Sequence, residues 1–202
     1  YKWNAAGTDA DLSLFASTAN FQIRDNHNIV QNLTWTFPGS NDCMRCHTNV
    51  SGQVLGLRTA QVNRDGQLNR WNTWRLFDHD INPESTYVAQ ANPLDPSRPL
   101  EFRVKSYLSS NCSMCHQPGG TTAMDMDLRY LTPLTEMGIV NVPPTAGDLG
   151  IVNPLRIAPG FKARSVIWAR IHRTDDDRMP PLATKLPDQD TVDLIGSWID
   201  GL

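Results

Sequence analysis

The sequence predicts a mostly α-helical fold of two domains, in which long irregular loops join short helices. Forty per cent of the 202 residues are hydrophobic and six are Trp, which is enough to form a core. The 14 Pro and 13 Gly residues interrupt long regular elements. Residues 92–99 contain three prolines and are typical of a linker. We therefore predict one domain over 1–95 and a second over 96–202.

Few regular elements are predicted in the first domain. Residues 34–38, Thr-Trp-Thr-Phe-Pro, favour a short extended segment because Thr and the aromatic residues prefer strands. Ser40 is a suitable N-cap for a helical turn over 43–47. Residues 67–77 have a helical pattern, with one apolar side formed by Leu68, Trp71 and Trp74.

Three helices are predicted in the second domain. The first covers 99–108 with Pro99 in its first turn, and the second covers 165–171 with Ser165 as its cap. The last begins near Asp188 or Asp190. Its apolar residues recur at helical spacing: Val192, Ile195, Ile199 and Leu202. Residues 118–159 show little periodicity and are predicted to form a loop around a ligand.

All four cysteines belong to two copies of the pattern Cys-x-x-Cys-His, which lie 69 residues apart. Disulfides, redox dithiols and zinc half-sites are alternative interpretations of such pairs. A zinc ribbon places its two cysteine pairs about 15–20 residues apart, which does not fit this spacing. A thioredoxin-like dithiol does not need a His after each copy.

The pattern Cys-x-x-Cys-His is the attachment signal of haem c. Two thiols one helical turn apart reach the two vinyl groups of the porphyrin, and the adjacent His then lies below the iron. We therefore predict two covalently attached haems c. Their protein ligands are Cys43, Cys46 and His47 for the first haem, and Cys112, Cys115 and His116 for the second.

Met179 is the predicted sixth ligand of the second haem. A haem c that transfers electrons normally has a second axial ligand, and Met raises its potential. Met179 lies on the proline-rich segment 178–183, just before the terminal helix. In class I cytochromes c the distal Met has the same place in the chain order. A core-filling Met is the alternative.

The first haem has no equally clear sixth ligand. His79 is the first choice because it follows the Trp-rich helix within the same predicted domain, although a solvated surface His is the alternative. His27 is the next candidate. Met124 or Met126 are further candidates, which would reach across from the second domain.

The chain resembles a family of exported dihaem c-type cytochromes of Gram-negative bacteria. The segments that carry the resemblance occur in this order: YKWNAAGTDA (1–10), WTFP (35–38), CMRCH (43–47), LGL (55–57), NCSMCHQPGG (111–120), DLRY (127–130) and RMPPLA (178–183). The resemblance implies two cytochrome c-like haem domains, the second similar to class I cytochromes c, and supports Met179 as a ligand. It also implies a periplasmic or extracellular location and a further N-terminal region or a removed leader. Family members often have Ser-Arg after Phe-Pro, where this chain has Gly39 and Ser40.

These observations predict an electron carrier that works by outer-sphere transfer with a redox partner protein. The partner would be an oxidoreductase, another cytochrome or a second copy of the chain. A dihaem peroxidase-like enzyme with one open haem is the alternative function. The net charge of −3 and the absence of clustered Lys and Arg argue against a nucleic-acid partner. No apolar run has the length of a membrane span.

Overall fold

The structure is a computed structural model that describes residues 1–25, 27–122 and 124–202. Two antiparallel hairpins form its N-terminal part. Strand β1 (Lys2–Trp3) pairs with β2 (Ala10–Asp11), and β3 (Ser17–Arg24) pairs with β4 (Val30–Phe37). The longer hairpin is in register from Ser17 opposite Phe37 to Arg24 opposite Val30.

The long hairpin forms where β-branched and aromatic residues are frequent and a polar turn lies between them. Asp25 organises that turn, since its Oδ1 accepts from the backbone N–H of His27 at 3.0 Å and of Ile29 at 2.9 Å. A side-chain oxygen that accepts backbone donors in this way stabilises a reversal of the chain. Phe21 and Phe37 add an edge-to-face aromatic contact between the strands.

Three short helices follow the long hairpin: α1 (Ser40–Cys43), α2 (Thr59–Val62) and α3 (Gln67–Thr73). The helix predicted over 67–77 therefore ends four residues early. Arg75 has a φ of 55°, a left-handed conformation that a continuing α-helix does not allow. One turn of 3-10 helix covers Glu84–Thr86.

Three longer helices form the second half: α4 (Leu100–Asn111), α5 (Val166–His172) and α6 (Gln189–Asp200). Helix α6 packs against both α4 and α5. Two turns of 3-10 helix cover Leu134–Glu136 and Lys162–Arg164. The three helices confirm the elements predicted there. The segment 118–159 is mostly irregular, as predicted, apart from that 3-10 turn and isolated bridges.

The hydrophobic core lies entirely in the second half. Its members come from the three long helices and from the irregular segment between them: Val104, Leu108, Met126, Leu128, Met137, Ile139, Ile157, Ile171, Val192, Ile195, Trp198 and Ile199. In the first half only Val62 and Leu68 are buried hydrophobic residues among those described. The first half therefore has only a small hydrophobic core of its own among the described residues.

The prediction of a mostly α-helical fold with two cytochrome c-like haem domains was wrong. Helices of all kinds account for 28% of the described residues and strands or bridges for 12%, with two small antiparallel sheets. The extended segment predicted over 34–38 is the end of an eight-residue strand whose partner was not recognised. Among the described residues no helix is long and apolar enough to cross a membrane.

The predicted domain boundary near residue 95 stays a prediction. Hydrogen bonds cross it: the Ala91 N–H donates to Ser106 Oγ at 3.0 Å, and Ser110 Oγ donates to Gln90 Oε1 at 2.9 Å. These contacts attach the segment before the boundary to helix α4.

Candidate functional site

The second Cys-x-x-Cys-His copy begins at the C-terminal end of α4. Cys112 caps this helix, and its N–H donates to Leu108 O at 2.9 Å. The N–H groups of Cys115 and His116 both donate to Cys112 O, at 3.1 and 3.0 Å. The chain therefore makes one more tight turn after the helix, which holds both cysteines and the His in one compact unit.

An apolar cleft with a volume of about 70 Å³ adjoins this turn. Cys112, His116 and Met179 all line it. Much of the remaining lining is apolar: Leu108, Met124, Met126, Leu128, Val166, Ile167 and Ile171. The structure therefore brings Met179 to Cys112 and His116, from which it is far apart in sequence, and all three were predicted to hold the second haem.

His116 is suited to bind a metal ion. Burial lowers the pKa of its imidazole, and the nearby positive charge of Arg156 lowers it further. A metal-binding His must be neutral, and both effects favour the neutral form. Its Nδ1 lies 3.4 Å from Thr122 Oγ1, so Nε2 remains available as the ligand atom.

The segment that carries Met179 is held by backbone and arginine hydrogen bonds. The Met179 N–H donates to Arg170 O at 3.0 Å. Arg178 donates to Asp175 O and Pro181 O at 2.8 Å each, and to Thr184 O at 3.0 Å. The Arg178 guanidinium therefore donates to carbonyl groups that precede and follow Met179 in the chain, which fixes the position of this residue.

The first Cys-x-x-Cys-His copy has the same local turn but is more exposed. Cys43 ends α1, and the His47 N–H donates to Cys43 O at 3.0 Å. The His47 ring is oriented by a contact of 2.5 Å between its Nδ1 and Gln53 O. A carbonyl in this position accepts a proton from Nδ1, and Nε2 is then free to bind a metal. Cys43 and His47 are both exposed.

The two copies meet in space. Cys46 Sγ lies 3.9 Å from Cys115 Sγ, and Thr121 Oγ1 donates to Arg45 O at 3.1 Å. A second cleft, with a volume of about 500 Å³, opens between the copies. Residues of both copies and of the Met179 loop line it: Met44, Arg45, Cys46, Cys112, Met114, Cys115, His116, Met179 and Pro180.

The raised pKa values of two thiols argue against a reactive redox dithiol. All four cysteines are free. Burial raises the pKa of Cys112 to about 12, and burial together with the neighbouring Cys115 raises that of Cys46 to about 11. A reactive dithiol needs a thiolate near neutral pH, which these pKa values disfavour. Across 1–25, 27–122 and 124–202, no group of three or more His, Cys, Asp or Glu side chains is placed to hold a metal ion.

No protein-family model, no curated protein and no solved structure matches this chain. The cofactor is therefore inferred from the residues of the two Cys-x-x-Cys-His copies and their surroundings. The second copy fits a haem because Cys112, His116 and Met179 line one apolar cleft, while Cys115 lines the adjoining cleft between the copies. Arg156 in the same cleft adds a buried polar atom, its Nε, that has no hydrogen-bond partner.

Arg156 was missed at the level of sequence. It lines the cleft of His116 and is 6% exposed. Four other arginines of the second half already have partners within the chain: Arg129 with Asp127, Arg170 with Asp177 and Ala146, Arg173 with Asp175, and Arg178 with the carbonyl groups of its own loop. No sequence pattern distinguishes Arg156 from them, because its burial follows from the folding of an irregular segment.

The candidates for the sixth ligand of the first haem lie in different places. His79 is exposed in a bend after α3. His27 Nε2 is 3.4 Å from Asp190 Oδ1 of α6. Met124 and Met126 line the cleft of His116. None of these contacts brings a side chain to His47, and His79 stays a prediction.

Proposed function

We propose that this chain is a dihaem c-type cytochrome that carries electrons outside the cytoplasm by outer-sphere transfer. Cys43 and Cys46 would attach the first haem, with His47 as its axial ligand. Cys112 and Cys115 would attach the second, with His116 and Met179 as its two axial ligands. When bound, each haem supplies a one-electron Fe(III)/Fe(II) couple that needs no bond to a substrate.

The observation that carries this proposal is that His116 and Met179 line the same apolar cleft beside Cys112. An electron carrier keeps both axial positions of its iron occupied, so that neither water nor a substrate binds there. A sulfur ligand and an imidazole from segments far apart in sequence meet this requirement. The hydrogen bonds of Arg178 keep Met179 in its loop, which would hold the sulfur in position in both redox states.

The residues around the cleft have two further roles in this proposal. Leu108, Met126 and Ile171 exclude water from the cofactor, which limits the solvent reorganisation that accompanies electron transfer. The neutral His116 offers its Nε2 lone pair without first losing a proton. A buried site with Met as an axial ligand also favours a higher reduction potential.

The contact between Cys46 and Cys115 supports electron exchange between the two sites. Haems attached to these neighbouring thiols would have a short path between them across the second cleft. The exposed Cys43 and His47 make the first site the more accessible to a redox partner protein. That partner would be an oxidoreductase, another cytochrome or a second copy of the chain. A periplasmic or extracellular location follows from the resemblance to exported cytochromes.

A dihaem peroxidase-like enzyme is the second candidate. It is favoured by the exposure of His47, together with the exposed position of His79, its predicted partner. An iron with one empty axial position binds small molecules such as hydrogen peroxide.

Low-temperature electron paramagnetic resonance (EPR) of the oxidised protein separates the two candidates. The electron-carrier proposal predicts two low-spin signals, one with His and Met ligands and one with two His ligands. A persistent high-spin signal from one haem would contradict it and favour the peroxidase-like function. The same preparation, reduced and exposed to carbon monoxide, gives a second readout, because only an open iron binds this ligand.

A further inference from the structure

Arg156 is a buried arginine without a carboxylate partner among the described residues. Its Nη1 donates to two backbone carbonyls, Asp125 O and Gly138 O, both at 2.7 Å. Its Nε is buried and has no acceptor. The ion pairs of the described residues do not include Arg156. The side chain therefore has an unused donor and an uncompensated charge.

A guanidinium in this environment needs an anion. Arginine stays protonated in proteins, so it does not escape the cost of burial by losing a proton. Two backbone carbonyls offset part of this cost, but they carry no net charge, and a buried donor without an acceptor adds a further penalty. Since no carboxylate among the described residues pairs with Arg156, the counter-ion has to come from a bound molecule.

The location of Arg156 indicates the polarity and the charge of the bound molecule. The residue lines the cleft together with His116 and Met179, and much of the remaining lining is apolar. The ligand is therefore largely apolar and carries an acidic group near the axial His. Arg170, a second arginine of the cleft, already contacts Asp177 and Ala146.

We propose that Arg156 binds a carboxylate of the haem attached at Cys112 and Cys115, one of its two propionates, and keeps it ionised within the cleft. This inference rests on the proposed function. Arg156 is a positioning residue that touches the cofactor but not the iron. The planar guanidinium fork suits a carboxylate better than a point charge does, because it donates two parallel hydrogen bonds.

Infrared spectroscopy of the loaded protein tests the proposal independently of electron-transfer activity. Haem is isotopically labelled at its propionate carboxyl carbons, and haem content is first measured for every variant. Arg156→Gln removes the charge but keeps a polar side chain. Arg164→Gln is the matched control, because Arg164 donates to the Asn153 carbonyl and does not line the cleft. Arg156→Lys retains the charge without the planar fork.

The expected result is that Arg156→Gln gives a labelled band of protonated carboxylic acid at neutral pH, while the wild type and Arg164→Gln show only ionised carboxylate. The reduction potential of one haem in Arg156→Gln should then vary with pH where that of the wild type is constant. If Arg156→Gln does not fold, Arg156→Lys should shift the labelled carboxylate bands. If the labelled carboxylate bands are unchanged in Arg156→Gln, the role of Arg156 is overturned while the proposed function stands. The same holds for unchanged bands in Arg156→Lys if only that variant folds. A wild-type chain that carries no haem would overturn the proposed function as well.

Discussion

Cys46 Sγ lies 3.9 Å from Cys115 Sγ, although 69 residues separate the two cysteines. Each is the second cysteine of its Cys-x-x-Cys-His copy. The contact is reinforced where Thr121 Oγ1 donates to Arg45 O. The fold therefore brings together two attachment sites that the sequence presents as separate units.

Because of this contact, the two Fe(III) centres of the oxidised protein should interact magnetically. We expect the low-spin EPR signal of the second haem to relax faster in the wild type than in a Cys43→Ala/Cys46→Ala variant that lacks the first haem. Pulsed EPR at matched haem concentration measures this difference. Equal relaxation in both proteins would mean that the two haems are far apart, contrary to the contact between their attachment sites.

Met179→Leu should remove the sulfur ligand of the second haem. The weak near-infrared band from sulfur to Fe(III) should disappear, and the reduction potential of that haem should fall, since Met ligation raises it. Met124→Leu is the matched control, because Met124 lines the same cleft. The change of Met to Leu nearly conserves volume and leaves the packing intact. If the band survives in Met179→Leu and is lost in Met124→Leu, the ligand has been assigned to the wrong methionine.

The terminal helix shows what sequence patterning predicts well. Val192, Ile195 and Ile199 were expected on one apolar face, and all three are buried where α6 meets α4 and α5. A regular helical period determines which face is buried, whatever the rest of the fold. Leu202, the last residue of the predicted face, lies beyond the end of the helix and is 43% exposed.

Features that depend on contacts distant in sequence were not predicted. The strand β3 was missed because its pairing with β4 is specified by cross-strand partners rather than by its own period. Cys112 and His116 were predicted from the Cys-x-x-Cys-His spacing and Met179 from its place in the chain order, and all three line one cleft. Arg156 was not found, because an arginine in an irregular segment has no local signal for burial. The contact between Cys46 and Cys115 depends on the packing of two irregular regions.

Ile199→Ala should destabilise the protein substantially. Ile199 is 0% exposed in the core, and removing a side chain of this size from a core costs about 2–5 kcal/mol. Leu202→Ala is the matched control on the same stretch of chain and should change the free energy of unfolding by less than about 0.5 kcal/mol. Chemical denaturation of the loaded protein measures both values. Similar losses for the two variants would show that α6 is not packed as described.

Asp127 should contribute to stability at neutral pH and lose that contribution in acid. The Arg129 side chain donates to both carboxylate oxygens, which lowers the pKa of Asp127 below its usual value of 3.8. As the pH falls through 3.8 the unfolded chain takes up the proton first, so the contribution declines towards the lower pKa of the folded state.

An Asp127→Asn variant should therefore be less stable than the wild type near neutral pH, and the difference should narrow as the pH falls below 3.8. Asp125→Asn, a change at an exposed neighbour, is the control. Thermal unfolding over this pH range provides the measurement. A difference that stays constant down to low pH would show that the Asp127 carboxylate is not held ionised by Arg129.

The central claim is that the two Cys-x-x-Cys-His copies each carry one covalently attached haem. The most direct test is the mass of the denatured chain combined with the alkaline pyridine spectrum of its haem. We expect two haems c per chain in the wild type and one in a Cys112→Ala/Cys115→Ala variant. A wild-type chain with one haem or none, or a variant that still carries two, would contradict it.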